Sequence, residues 1–325
     1  MSELTASDLL EVASRCFVLR YPEWDVSVGV VVGSDGVLVV DTRASEVQGR
    51  RLADDVRRVA PGVPIRWVVN THQHFDHTFG NLAFEGATIH AHENAAAGLV
   101  AAGDRIKDLI RADPAVDPDH PAITAEVLGE VLATTYRLVD TTFSSAAVID
   151  LGGRYVELAY PGRGHTDGDL VLCVPDADVV FGGDLVEQSA DPSYGSDCFP
   201  LDWAGSLDLM IGLLTPRTVV VPGHGTPVDK DFVQDQRADV SDVGELIRSL
   251  YAQGVPAGEA LRIGAGESSA AGMGPSGWPY PTAQLAYAVS RGYAQLAAVA
   301  ERSGDPLAGR TPARLPLGGT GIPLA

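Results

Sequence analysis

Two lysines, Lys107 and Lys230, are all this chain carries in 325 residues, against 43 acidic residues and a formal net charge of −20. Lysine and arginine together number 23, little more than half the acidic residues, so the global charge offers no footprint for a phosphate backbone and no nucleic-acid partner is expected. Cysteine is nearly as scarce: Cys16, Cys173 and Cys198 stand far apart, with no C-x-x-C pair. Such an odd, sparse set fits a reducing compartment better than a disulfide framework, with Cys173 expected in the core and Cys198 in a loop. No apolar run approaches the roughly 20 residues of a membrane-spanning helix, so no membrane partner is expected. The first residues, Met1-Ser2-Glu3-Leu4-Thr5, carry acid where a secretory leader carries base, and the expected location is cytoplasmic.

What is present is a chain with 45% hydrophobic residues, enough for a large core. Val26 to Val32 and Val37 to Val40 are β-rich and flank Ser34-Asp35-Gly36, a hairpin pattern. Ser45 to Val59 places Val47, Leu52, Val56 and Val59 at helical spacing. Short strands are expected at Ile65 to Val69, Thr88 to Ala91, Leu170 to Val174, Val179 to Phe181 and Thr218 to Val221. A second hairpin, Ala147 to Leu151 with Tyr155 to Tyr160, turns at Gly152-Gly153. Between these strand-rich blocks, residues 93–140 read as a helical insertion around Pro114, Pro118 and Pro121. Beyond about residue 230 the pattern is helical, with Val233, Val240, Val243, Ile247 and Leu250 on one face and Leu285, Val289, Leu296 and Val299 on another. Gly264 to Pro281 reads as a loop and Gly304 to Ala325 as a Pro/Gly-rich tail. The expected organisation is a catalytic domain over 1–230 and a helical extension over 231–325 packed on the same domain.

The chemistry concentrates in Asn70-Thr71-His72-Gln73-His74-Phe75-Asp76-His77. Four metal-competent side chains within six residues are far more than eight histidines would scatter over this length. Imidazoles and a carboxylate without thiolate suit zinc, iron or manganese. His72 and His74 can reach one ion together, while Asp76 and His77 point elsewhere and can serve a second. His165, Asp184 and His224 each follow a short β-run, so the sheet would gather them at one edge, and Gly182-Gly183 and Gly223-His224-Gly225 allow close backbone approach. The remaining polar candidates have plainer readings. His90 and His92 are expected to pack or to support the ligands from behind rather than to ligate, His120 to be solvated, Asp167 and Asp169 to hydrogen-bond within their loop, and Arg163 to form a surface salt bridge. Tyr194, Phe199 and Trp203 are candidates to line the pocket.

The sequence resembles the metallo-β-lactamase superfamily over roughly residues 15–230. The cluster matches that family's H-x-H-x-D-H motif. His165 in Gly164-His165-Thr166, Asp184 in Gly182-Gly183-Asp184 and His224 in Pro222-Gly223-His224-Gly225 match its later motifs in order, and Asp41 fits as well. The resemblance implies an αβ/βα sandwich, two facing sheets with helices outside. It also implies two divalent metal ions, most simply zinc, with iron or manganese as alternatives. His72, His74 and His165 would hold the first, Asp76, His77 and His224 the second, and Asp184 would bridge them. Asp76 is then both a ligand and the nearest proton acceptor.

A dinuclear site with a shared, ionised water points to a hydrolase acting on the carbonyl of a small ester, lactone, thioester or amide. Asp184 disfavours β-lactam hydrolysis, because one class of the true lactamases carries Cys there and another uses no bridging carboxylate; it stays as a minor activity. The competing reading is an iron-dependent oxidoreductase resembling the persulfide dioxygenases. The partner is in either case a small-molecule substrate.

Overall fold

The computed structural model describes residues 9–115, 120–264 and 278–303. Two sheets face each other. The first has seven strands in sequential order: β1 (Leu9–Ala13), β2 (Cys16–Arg20), β3 (Ser27–Val32), β4 (Val37–Val40), β5 (Ile65–Val69), β6 (Thr88–His92) and β7 (Thr141–Phe143). It is antiparallel from β1 to β4 and parallel from β4 to β7. The second has five, in the order β12 (Val219–His224), β11 (Val179–Glu187), β10 (Val171–Val174), β9 (Tyr155–Ala159) and β8 (Ala146–Asp150). Only its β11–β12 pair is parallel.

Side-chain alternation explains why β3 and β4 are apolar at nearly every position. Val28, Val30, Val32, Val37 and Val39 point outward, against Leu52, Ala53 and Val56 of helix α1 (Glu46–Val59). Val31, Leu38 and Val40 point inward and pack on Leu158, Leu172, Phe181 and Val221 of the second sheet. A strand covered on both faces needs no polar positions. The outer face of the second sheet is covered by α5 (Trp203–Leu213), α6 (Lys230–Ala252), α7 (Ala257–Gly264) and α8 (Ala286–Ser303), which share one apolar cluster with Val171, Val180 and Val186. With helices outside both sheets, the architecture is the αβ/βα sandwich with C-terminal helices that the sequence led us to expect.

Helices α3 (Glu93–Ala112) and α4 (Ala125–Ala133) occupy the stretch between β6 and β7 and bury Ile106, Ile110, Val127 and Val131 against Phe75 and Phe79. Phe75 opens the one-turn helix α2 (Phe75–Thr78). Among the described residues, no helix is long and apolar enough to cross a membrane.

Several local expectations need correction. Strands β1, β2 and β7 and helix α5 were not legible: β1 and β7 are short edge strands, and α5 has apolar residues almost all round, including exposed Leu209 and Leu213. Val47 and Val299 share the apolar spacing of their helices but are exposed, at 42% and 54%. The buried face of α1 is instead Gln48, Gly49, Leu52, Ala53, Asp55 and Val56, and Ser45 caps the helix by accepting from the Gln48 N–H. The Pro118 turn, most of the Gly264 to Pro281 stretch and the Gly304 to Ala325 tail lie outside the described residues.

Candidate metal centre

The end of β5 runs into the loop that carries His72 and His74, and α2 supplies Asp76 and His77. His165 sits in the β9–β10 loop. Asp184 and His224 are not past their strands but inside β11 and β12, where the register breaks on either side of Gly183. Gly183 has φ +52 and lies so close to Thr71 that a Cβ would stand 2.7 Å from that side chain. The break is what turns Asp184 towards the loop.

All seven residues named from the sequence meet in one buried pocket at the edge of the sandwich. His72, His74, His165 and Asp184 form one group of potential ligand atoms, and Asp76, His77 and His224 another. Asp184 touches both: its Oδ2 lies 3.6 Å from His72 Nε2, 3.4 Å from His165 Nε2 and 3.3 Å from His224 Nε2, and its Oδ1 lies 3.2 Å from His77 Nε2. Asp76 Oδ2 is 3.4 Å from His77 Nε2 and 3.3 Å from His224 Nε2.

Each imidazole is tied from behind, and the ties fix which nitrogen faces inward. His77 Nδ1 donates to Asp41 Oδ2 at 2.9 Å. The Thr71 hydroxyl also donates to Asp41 Oδ2, so its oxygen is left to accept from His72 Nδ1 at 3.0 Å. His165 Nδ1 donates to the Ser193 carbonyl and His224 Nδ1 to the Trp24 carbonyl, at 2.9 and 2.6 Å. His74 is reversed: its Nε2 faces the Asp197 carboxylate at 3.3 Å, and its Nδ1 comes within 2.8 Å of His165 Nε2. Five inward nitrogens with outer partners that hold tautomer and ring orientation are the arrangement metal-ligating histidines need.

The pocket atoms themselves lack partners. His72 Nε2 and all four oxygens of Asp76 and Asp184 are buried without a hydrogen bond. Lone pairs converging at such distances repel, and unpaired buried carboxylates are costly. A divalent cation resolves both, so the residues present fit the metal ions that the fold family implies. Electrostatics divides the ligands. Burial presses His72 well below the ordinary imidazole value and His165 down to about 4, favouring the neutral form that ligates. At His77 burial acts the same way, but the carboxylates of Asp184, Asp76 and Asp41 outweigh it and hold the ring well above its ordinary value. His224 is likewise raised by Asp184 and Glu187 against burial.

Sequence reasoning missed several supporting residues. Asp197 lies in the β11–α5 loop, 123 positions from His74; it also accepts from Gln73 Nε2 at 3.3 Å and from Arg105 of α3 at 2.8 Å. Glu187, at the end of β11, groups with Asp184 and His224, and burial pushes its carboxyl up to about 8. Nothing local in the sequence marks either one. Asp41 is held in the left-handed region, φ +68, by the Thr71 N–H and hydroxyl, and Trp24 and Asp25 likewise have positive φ. Such strain is tolerated where surrounding bonds fix the backbone; here it aims the Trp24 carbonyl at His224.

The plainer readings fare well. His92 caps α3, stacks on Tyr160 at 3.9 Å and has no part in the pocket, and His90 is half-buried away from the ligand groups. His120 is exposed. Asp169 accepts from the Thr166 N–H and hydroxyl, shaping the His165 loop, and burial pushes its carboxyl up to about 7. Arg163 pairs with Asp202 at 2.6 Å. Trp203 and Tyr194 do not line the pocket. Both are buried behind it, Trp203 edge-on to His165 with its indole N–H donating to the Leu185 carbonyl. Phe199 stacks between Arg163 and Arg291 instead. Cys198 is fully buried and burial pushes its thiol up, and Cys173 is only partly buried.

Known proteins bear on this geometry in two ways. The chain is 27% identical over 146 residues to a metallo-beta-lactamase type 2 of Bacillus sp. (strain 170), covering 44% of this chain and 52% of that protein. It is 25% identical over 209 residues to the 2,4-dinitroanisole O-demethylase subunit alpha of Nocardioides sp. (strain JS1661), covering 62% and 54%. The matched stretches thus span about half the length of these relatives. Among solved structures, TMB-1 superposes with a TM-score of 0.54 at 21% identity, covering 72% of this chain and 96% of that one. A metallo-beta-lactamase from Pontibacter korlensis gives 0.53 at 20%, covering 72% and 98%; both likenesses speak for the fold alone. Residues 21–224, which hold every pocket ligand, match the profile of the metallo-beta-lactamase superfamily, and the chain belongs to that superfamily.

Proposed function

We propose that this protein is a hydrolase that binds two divalent metal ions and cleaves a small ester, lactone, thioester or amide at its carbonyl. The observation that carries the reading is the set of five back-tied imidazoles facing two buried carboxylates without partners. His72, His74 and His165 would hold one ion and Asp76, His77 and His224 the other. Asp184, in reach of imidazoles from both groups, would touch both. Zinc fits the imidazole-rich donor set best, with iron or manganese as alternatives. Bound there, divalent ions supply Lewis acidity towards a carbonyl oxygen and a water that ionises near neutral pH.

The chain's own residues supply position and proton handling. Asp41, Thr71, Ser193, Trp24 and Asp197 hold the rings so that no reorganisation is needed during turnover. Asp76 Oδ2 faces His77 and His224, which leaves Oδ1 as the atom free to take a proton from the attacking water. Asp169, buried and held by Thr166, keeps the His165 loop in place without entering the chemistry.

A metal count followed by a substrate panel tests the reading. The panel should include lactones, thioesters and esters, a β-lactam because of the lactamase relatives, and 2,4-dinitroanisole because of the demethylase subunit. Two ions per chain with carbonyl hydrolysis are expected. One iron per chain with oxygen consumption would replace the hydrolase reading by the oxidoreductase one.

A further inference from the structure

We propose that Glu187 is an additional ligand at the second metal position, making that position richer in oxygen donors than the first and better suited than the first to a harder ion such as Mn2+ or Fe2+. The proposal rests on the two-metal reading above. Glu187 and His224 are register partners across the parallel β11–β12 pair, so their side chains leave the sheet side by side. Potential ligand atoms of Glu187, Asp184 and His224 all lie within 4.8 Å of one another. Both oxygens of Asp184, itself only 2% exposed, have no hydrogen-bond partner there.

Glu187 is built in rather than adrift. Its backbone N–H donates to Gln236 Oε1 at 3.0 Å, and Gln236 Nε2 donates to the Leu185 carbonyl at 2.8 Å, so α6 clamps this end of β11. Its carboxylate, in a residue 5% exposed, receives one hydroxyl hydrogen bond, from Ser189 at 3.2 Å. No lysine or arginine among the described residues forms an ion pair with it. Buried carboxylates outside the ligand groups are better supplied: Asp41 has the Thr71 N–H, the Thr71 hydroxyl and the His77 ring, and Asp169 has two donors of Thr166. Burial alone would leave such a carboxyl neutral, and a cation beside it would supply the countercharge that lets it ionise and ligate.

The donor count then separates the two positions. The first would see three imidazoles and Asp184. The second would see two imidazoles, His77 and His224, with Asp76 and Asp184, and Glu187 would join it from the side of Asp184 and His224, the two residues it groups with. Imidazole-rich sets suit zinc, whereas carboxylate-rich sets suit manganese and harder ions.

The test uses metal-free full-length protein titrated with Zn2+ and Mn2+, singly and together. Metal content and chelator-competition affinity are read for wild type and Glu187→Gln. With Zn2+ limited to one equivalent per chain, wild type is expected to take up one of each, and Glu187→Gln to lose at least tenfold in Mn2+ affinity while keeping its tightest Zn2+ site. Unchanged Mn2+ affinity in a folded Glu187→Gln protein overturns the proposal and leaves the two-metal reading standing. Fewer than two ions in wild type overturns both. Should the variant not fold, anomalous diffraction from loaded wild type decides: a Glu187 oxygen within about 2.0–2.6 Å of an ion supports the ligand role, and a longer separation overturns it.

Discussion

Replacing Gly223 with alanine adds one methyl group where Asp184 already stands. The new carbon would lie 1.8 Å from Asp184 Oδ1 and 3.0 Å from the Gly183 carbonyl carbon. An unforced carbon–oxygen contact needs about 3.3 Å, so the carboxylate or the strand must give by about 1.5 Å. The strand has little freedom, because His224 is pinned to the Trp24 carbonyl at 2.6 Å and Pro222 is in register with Gly183. The carboxylate therefore moves out of reach of its four imidazoles. Misplacement of about 1 Å in a preorganised site costs on the order of 100-fold, or about 2.7 kcal/mol. Gly223→Ala should bind its second ion about 100-fold more weakly, read by competition with a chromophoric chelator, and turnover should fall with it. The fold should survive, because Gly223 belongs to none of the four apolar clusters. Gly205→Ala on α5 is the matched control: nothing lies within 4 Å of its added carbon, and helix propensity alone gives about 0.5–1 kcal/mol of stabilisation. A Gly223→Ala protein that keeps wild-type affinity for both ions would refute the assignment of Asp184 and the close approach it rests on.

Asp197→Asn keeps the volume but removes the charge that His74 Nε2 and Arg105 share, so metal affinity should fall about 10- to 100-fold with little change in melting temperature; an affinity within twofold of wild type would assign Asp197 to the surface instead. Asp169 supplies the pH test. Its folded-state pKa is raised to about 7 from 3.8, so between those values the native state holds a proton that the unfolded chain has lost. Its contribution to stability therefore falls as pH rises from about 4 to about 7, with a slope of up to about 1.4 kcal/mol per unit, and then levels off. Denaturant unfolding of metal-free wild type against Asp169→Asn should show that slope only in wild type, and parallel curves would contradict it. Chelation should abolish activity and lower the melting temperature by loss of ligand linkage while far-UV circular dichroism stays unchanged, because the sandwich core is apolar and separate from the pocket; loss of secondary structure on chelation would show the metals to be structural.

The clustering of His72, His74, Asp76 and His77 needed only the sequence, because they lie within six residues and any backbone brings them near each other. His165, Asp184 and His224 could be named because their glycine-flanked motifs follow apolar β-runs that reach the same sheet edge. The inner strands were legible for a related reason: residues buried on both faces, as in Val37 to Val40, leave an unbroken apolar run. Edge strands β1 and β7 and the weakly patterned α5 left no such trace, since one face or less of each is committed to the core.

What only the tertiary structure decided is how the ligands are held and where they point. Sequence separation hid the tie from His74 to Asp197, the carbonyl of Trp24 behind His224, 200 positions away, and Glu187 alongside Asp184. These contacts depend on β11 and β12 breaking register beside β3, and on α3 reaching the β11–α5 loop through Arg105. The ligand types were written locally, in residues whose chemistry is intrinsic. Their tautomers, the inversion of His74 relative to the other four rings and the carboxylate count at each position are properties of distant segments packed together, and only the folded sandwich sets them.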